Sequence, residues 1–207
     1  MTQSVNFDEV DPHIVLVSGE ETDGDYARFE STLHPSLDIE DTELEHERWG
    51  IDLTAEHVHP EQEEHIKVVA GEMQVEFRGE TRTVTQGEDI TFPAGEAHRH
   101  WNASDRPARI QWEVRPALRT EEWTESVYVL AQAGETDEEG APGLLQSAVI
   151  FDEYPDTSVY LTVAPVSVQR AASSVLAPIG RLLGYEAIHR RTADATTPEE
   201  GASPTST

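Results

Sequence analysis

Hydrophobic and polar positions alternate with period two through the middle of this chain. In MQVEF, Met73, Val75 and Phe77 share one face, and Gln74 and Glu76 share the other. In ARIQWEV, Ala108, Ile110, Trp112 and Val114 point one way; Arg109, Gln111 and Glu113 point the other. Such alternation marks half-buried strands. Glycine-bearing turns at AGE (70–72), RGE (78–80) and QGED (86–89) separate them. Many short strands with one polar face predict an all-β sandwich or barrel over residues 26–116.

Beyond residue 117 the period lengthens. In EEWTESVYVLAQAG, Trp123, Val127, Leu130 and Ala131 fall on one helical face, and Gly134 is the expected stop. In VSVQRAASSVLAPIGRLLGYEA, Val168, Ala171, Ala172, Val175, Ile179, Leu182 and Leu183 recur near helical spacing, with a kink expected at Pro178. These faces are too broad for solvated helices. Cover is expected from the barrel and from a second copy in a two-fold homodimer; a helix lying on a membrane surface is the alternative. Residues 117–190 thus read as a helical C-terminal extension and residues 1–25 as an acidic N-terminal segment. The last stretch, TADATTPEEGASPTST, is poor in apolar residues, so residues 191–207 read as a disordered tail.

Charge narrows the partners. Asp and Glu number 41 against 14 Lys and Arg, a formal net charge of -27. Such a surface repels nucleic acid and anionic lipid. Lys67 is the only lysine. The composition resembles that of proteins from salt-loving archaea, where high ionic strength screens self-repulsion; an ordinary acidic protein is the other reading. There is no cysteine, which removes disulfides, thiolate nucleophiles and Cys-based zinc sites. Neither a basic, apolar leader nor 18 consecutive apolar residues is present, so a cytoplasmic location is expected.

Candidate chemistry concentrates in two stretches. HVHPEQEEH, residues 57–65, holds three of the nine histidines. On a strand, His57 and His59 stand at i and i+2 and point to one face. Glu64 shares a face with Ile66 and Val68, so a carboxylate here has the parity of the core. The second stretch, GEDITFPAGEAHRHWN, runs from Gly87 to Asn102. His98 and His100 share parity within it, whereas His65 has the opposite parity to Glu64 and is expected to face out.

The spacing His57-x-His59, four residues, Glu64, six residues, Gly71 resembles the first motif of the cupin superfamily. Gly87, five residues, Pro93, one residue, Gly95, two residues, His98, three residues, Asn102 resembles the second. Gly50 departs from the pattern, lying one residue too far upstream of His57. The resemblance implies a double-stranded β-helix, the cupin or jelly-roll barrel, with a mononuclear metal site liganded by His57, His59, Glu64 and His98. Neutral imidazoles with a carboxylate suit iron, manganese, nickel, cobalt, copper or zinc, and do not choose among them. Since bound imidazoles must be neutral, affinity is expected to weaken below about pH 6.

Around such a site, His100 reads either as a group beside the pocket that assists the metal or substrate, or as a strand-surface residue. Val68, Phe77, Phe92 and Trp112 are candidate walls of a pocket for a small-molecule ligand. Asn102 opens an Asn-Ala-Ser glycosylation triplet but reads better as a turn-former. Two functions remain: a metal-dependent small-molecule enzyme (oxygenase, isomerase or decarboxylase), or a module that binds or senses a metal or metabolite.

Overall fold

A computed structural model describes residues 13–35, 55–136 and 141–187. Residues 1–12 of the acidic N-terminal segment, Gly50 and the expected C-terminal tail lie outside the described residues.

Two five-stranded sheets form the body of the fold. One has the order β1 (His13–Val17), β2 (Ala27–Leu33), β9 (Ala108–Arg115), β4 (Glu63–Ala70), β7 (Asp89–Phe92). The other has the order β10 (Tyr160–Leu161), β3 (His57–Val58), β8 (His98–Trp101), β5 (Glu72–Phe77), β6 (Glu80–Thr85). Neighbouring strands are antiparallel throughout. With the helices that follow, this is the all-β double-stranded β-helix with a helical C-terminal region that the sequence predicts.

Period two in the sequence becomes inside and outside in the structure. Met73 and Val75 on β5, and Ala108, Ile110, Trp112 and Val114 on β9, are buried, and Phe77 packs against the same core. Register stacks these faces: Glu64 lies opposite Val114, Ile66 opposite Trp112 and Val68 opposite Ile110. The positions of Glu64, Ile66 and Val68 on one face of β4 are therefore fixed by two neighbours at once, since a one-residue slip would turn every one of them outward. The turn at Gly71 needs glycine for two reasons. Its φ is +77°, and a Cβ there would sit 3.0 Å from the Ala108 backbone.

Three helices follow: α1 (Thr120–Gln132), α2 (Leu144–Glu153) and α3 (Val166–Leu182). The expected face of α1 is buried. Trp123, Val127 and Leu130 join Val149, Ile150 and Tyr154 in a second core, separate from that of the barrel. Gly134, at φ +70°, ends α1 as expected. Gln62 ties this layer to the barrel, its buried side-chain amide donating to the Pro116 and Ala117 carbonyls and to Thr120 Oγ1.

Two findings correct the sequence reading of this layer. The apolar stripe of α3 is not packed on the barrel. Val168, Val175, Ile179, Leu182 and Leu183 are exposed, and the buried face is Ser173, Ala177 and Gly180. The reason is close approach to α2: a Cβ on Gly180 would meet Val149 Cγ2 at 2.6 Å and the Leu145 carbonyl oxygen at 3.0 Å. Small side chains let the helices touch, and the bulky ones are turned away. The second correction is β10. A two-residue strand lies between α2 and α3, where helix was expected, and pairs Tyr160 with Val58 and Leu161 with His57.

Candidate metal centre

Four strands bring the two histidine stretches together. His57 lies opposite His98 in the pairing of β3 with β8. His98 in turn lies opposite Phe77 on β5, and His100 opposite Val75. His59 follows directly on β3, held by its carbonyl, which accepts from the Gly95 amide at 2.8 Å. Gly95 itself has a φ of +78°, a conformation that suits glycine. Glu64 enters from the opposite sheet. His57, His59, Glu64 and His98 are all buried, and each offers one ligand atom within 4.8 Å of the others. These are the four residues that the sequence pattern singles out.

The hydrogen bonds assign the protons. His57 Nδ1 lies 2.9 Å from the Ala55 carbonyl oxygen, and His98 Nδ1 lies 3.0 Å from that of Glu96. A carbonyl only accepts, so both Nδ1 atoms carry hydrogen and both Nε2 atoms aim lone pairs into the cluster. Such outward anchors fix ring orientation in metal sites. His57 Nε2 and both ring nitrogens of His59 have no hydrogen-bond partner although they are buried. His98 Nε2 faces Glu64 Oε2 at 3.0 Å, and His59 Nε2 lies 3.6 Å from the same oxygen. With Nδ1 already donating, the short contact sets a lone pair against a carboxylate unless a second proton or a cation lies between them.

Electrostatics favours the cation. Burial pushes the imidazole of His59 down to about 3 and that of His100 down to about 4, and lowers His57 as well. These rings are neutral at pH 7 and ready to coordinate. Burial works to raise the Glu64 carboxyl, and it falls below the usual carboxylate range only where His59 and His98 turn positive charge or an N–H toward it, a part that neutral rings leave to a bound cation. A buried anion ringed by lone pairs is costly by itself, and a divalent ion is the natural complement. The donor set of three imidazoles and one carboxylate fits a borderline divalent ion.

The neighbours of the cluster match the sequence reading unevenly. Phe92 stacks on His98 with ring centroids 4.0 Å apart, and Phe77 meets Phe92 edge-on at 5.3 Å. Val68 is fully buried, and Trp112 stacks on Phe29 at 4.2 Å, one rung along β9 from the partner of Glu64. His100 is buried, not on the strand surface; its centroid is 6.2 Å from that of His57, and neither of its nitrogens has a hydrogen-bond partner. His65 faces outward to Asp89. Asn102 is buried and shapes the turn. Its amide donates to the Leu33 and Arg106 carbonyls, and its oxygen accepts from Ser104.

Sequence reasoning missed the pairing of β10, which lies on the far side of β3 from His98. Only two residues long, it has no periodicity to detect.

Residues 51–114 match the Cupin_2 family, a cupin domain. This stretch is similar to a cupin domain. It contains all four candidate ligands and ends as β9 closes the sheet that holds Glu64. A 62-residue stretch is 34% identical to the polyketide synthase CurC of Streptomyces cyaneus, covering 30% of this chain and 40% of that protein. The chain therefore spans well under half the length of this curated relative. Among solved structures, a conserved protein with a double-stranded β-helix domain from Klebsiella pneumoniae aligns at 20% identity and a TM-score of 0.38, covering 56% of this chain and 92% of that one. A sugar phosphate isomerase of the cupin superfamily from Silicibacter pomeroyi aligns at 19% identity and a TM-score of 0.38, covering 52% and 61%. Among the described residues, no helix is long and apolar enough to cross a membrane.

Proposed function

We propose that this protein is a metal-dependent enzyme acting on a small molecule that chelates the ion. The observation that carries the reading is the contact of His98 Nε2 with Glu64 Oε2, beside the unpartnered nitrogens of His57 and His59. His57, His59, Glu64 and His98 would hold one divalent ion of iron, manganese, nickel, cobalt, copper or zinc. When bound, such an ion supplies Lewis acidity or redox chemistry to an oxygen-bearing substrate. The chain's own residues do the rest. Glu64 offsets the charge of the ion, the Ala55 and Glu96 carbonyls orient the imidazoles, and Phe77 and Phe92 keep water away on one side. His100, buried and neutral with both nitrogens free, is placed to take or return a proton beside the ligands. The reaction classes this supports are oxygenation, isomerisation and decarboxylation. The relative named as a polyketide synthase makes oxygen-rich polyketides the first substrates to try.

Metal content and turnover test the proposal together. Protein purified without chelator is expected to hold one ion per chain, and His57→Ala with His59→Ala is expected to hold none by elemental analysis. His100→Gln is expected to keep the ion and lose turnover of a chelating substrate. Well-folded protein that takes up no metal on reconstitution overturns the reading.

A sensing module is the second reading, and one observation favours it. The strand that carries His57 is hydrogen-bonded on its other edge to β10, and Thr162 binds Glu56 through both backbone and side chain. Occupancy of the site would then be felt directly in the helical layer. Hydrogen exchange in β10 that changes on metal removal, in protein that turns over no chelating substrate, would select this reading.

A further inference from the structure

Among the described residues, the outward face of α3 carries a row of exposed large apolar side chains that the candidate metal centre does not use. Along it run Val168, Val175 and Leu182, spaced by seven, with Ile179 and Leu183 beside them. Leu182 is 86% exposed and Val175 is 70% exposed. An apolar row at a spacing of seven is the seam that faces another helix. The helix cannot rotate to hide it, because Gly180 and Ala177 are held against α2 and a side chain in the place of Gly180 would strike Val149. Contiguous apolar surface of this kind marks an interaction site.

Charge identifies the occupant. In a chain with 41 acidic residues, none of residues 157–185 is Asp or Glu. The two cations of α3 are engaged within the chain: Arg170 with Asp156 at 3.1 Å and with the Pro155 carbonyl, and Arg181 with Asp152 at 2.7 Å. A lipid surface would need those cations free. Residues 36–54 of the same chain carry seven Asp and Glu, whose charges would be buried without partners on this face. Another copy of α3 brings neither free cations nor acids. It matches apolar to apolar along a stretch with no carboxylate of its own, where two chains of net charge -27 can approach.

We infer that α3 is the self-association face of the protein, joining two copies through Val168, Val175, Ile179 and Leu182 across a two-fold axis. The contact is apolar, while the rest of the two surfaces repels. Salt therefore strengthens it by screening, where it would weaken a contact made by arginine with anionic lipid.

Sedimentation of the full chain over a range of concentration and KCl tests this. The expected result is a species of twice the 23.0 kDa chain mass whose share grows with salt. The variant Val175→Glu with Leu182→Glu is expected to sediment as a monomer at every concentration, with unchanged circular dichroism and metal content. Both side chains are exposed in the single chain, so folding should tolerate the change. A second measurement uses the absence of cysteine. In Val175→Cys, thiol labelling should slow as protein concentration rises. A parent chain that stays monomeric in molar KCl overturns the inference. So does a double variant that still dimerises, which would place the contact elsewhere. Flotation of the parent chain with phosphatidylglycerol vesicles, abolished by salt, overturns it in favour of a membrane.

Discussion

The barrel and the helical layer bury their apolar residues by different rules. On β4 and β9 the large side chains point inward and neighbouring strands in the same chain seal them. On α3 the inward face is Ser173, Ala177 and Gly180, and the large side chains point away. The first region finishes its own core. The second trades bulk for close backbone approach and leaves its stripe for something outside. Hydrophobic spacing reports that a face will be covered; it does not report by what.

The largest test of this contrast is at the candidate metal centre. Replacing His57 and His59 by alanine removes two of three imidazoles from one cluster, and metal affinity should fall by more than the ~10–100-fold seen when only the groups behind the ligands are changed. Titration with a divalent ion measures it, and the helical core around Leu130 should not feel it. Acid is the second test. The folded-state pKa values of His57, His59 and His100 are depressed, so the unfolded chain binds more protons in acid. Metal-free protein should hold its full stability above about pH 6.5 and lose it as pH falls through about 4 and then about 3. Thermal melts across that window check it. The same shifts move proton competition for the metal below the pH of about 6 expected from ordinary histidines.

How much could be read from the sequence follows the same division. The His57, His59, Glu64 and His98 cluster was legible because spacing and strand parity agree: His57 and His59 two apart, and Glu64 in phase with Ile66 and Val68. The inward face of α1 was legible because Trp123, Val127 and Leu130 pack within the chain. The inner face of α3 was not. Ser173, Ala177 and Gly180 carry little apolar signal, and what selects them is the space beside Val149, which only the folded chain defines. β10 was hidden for another reason, as its pairing depends on a partner about a hundred residues away.

Core truncations sharpen the comparison next. Phe92→Ala should cost about 3–5 kcal/mol and also loosen His98, on which the ring stacks. Leu130→Ala should cost about 2–5 kcal/mol and leave metal binding unchanged. Denaturant unfolding of metal-free and loaded protein separates the two. A smaller effect is expected at Gly180→Ala. Alanine gains about 1 kcal/mol of helix propensity, but crowding against Val149 costs about 1–3 kcal/mol, so the net change should be destabilising. Val175→Ala, on the outer face, should alter the stability of the dilute chain by less than about 0.5 kcal/mol. Salt should give the smallest change. Raising KCl from about 0.1 M, where charges interact over roughly 10 Å, to the molar range should raise the melting temperature by relieving repulsion.

The pairing of β3 with β10 also sets an order of events. His57 lies in a strand of two residues, joined on one side to β8 through a single residue pair and on the other to Tyr160 and Leu161. About a hundred residues separate the two ends of that last pairing. At a synthesis rate of ~5–20 residues per second, Leu161 follows His57 off the ribosome by roughly 5–20 s. The first sheet and the rest of the second can close in that interval, since their strands end at Arg115. The ligand strand then waits, held on one edge, for the far end of the chain to arrive. Contacts so distant in sequence slow folding, and here the delay falls on the strand that carries the first histidine.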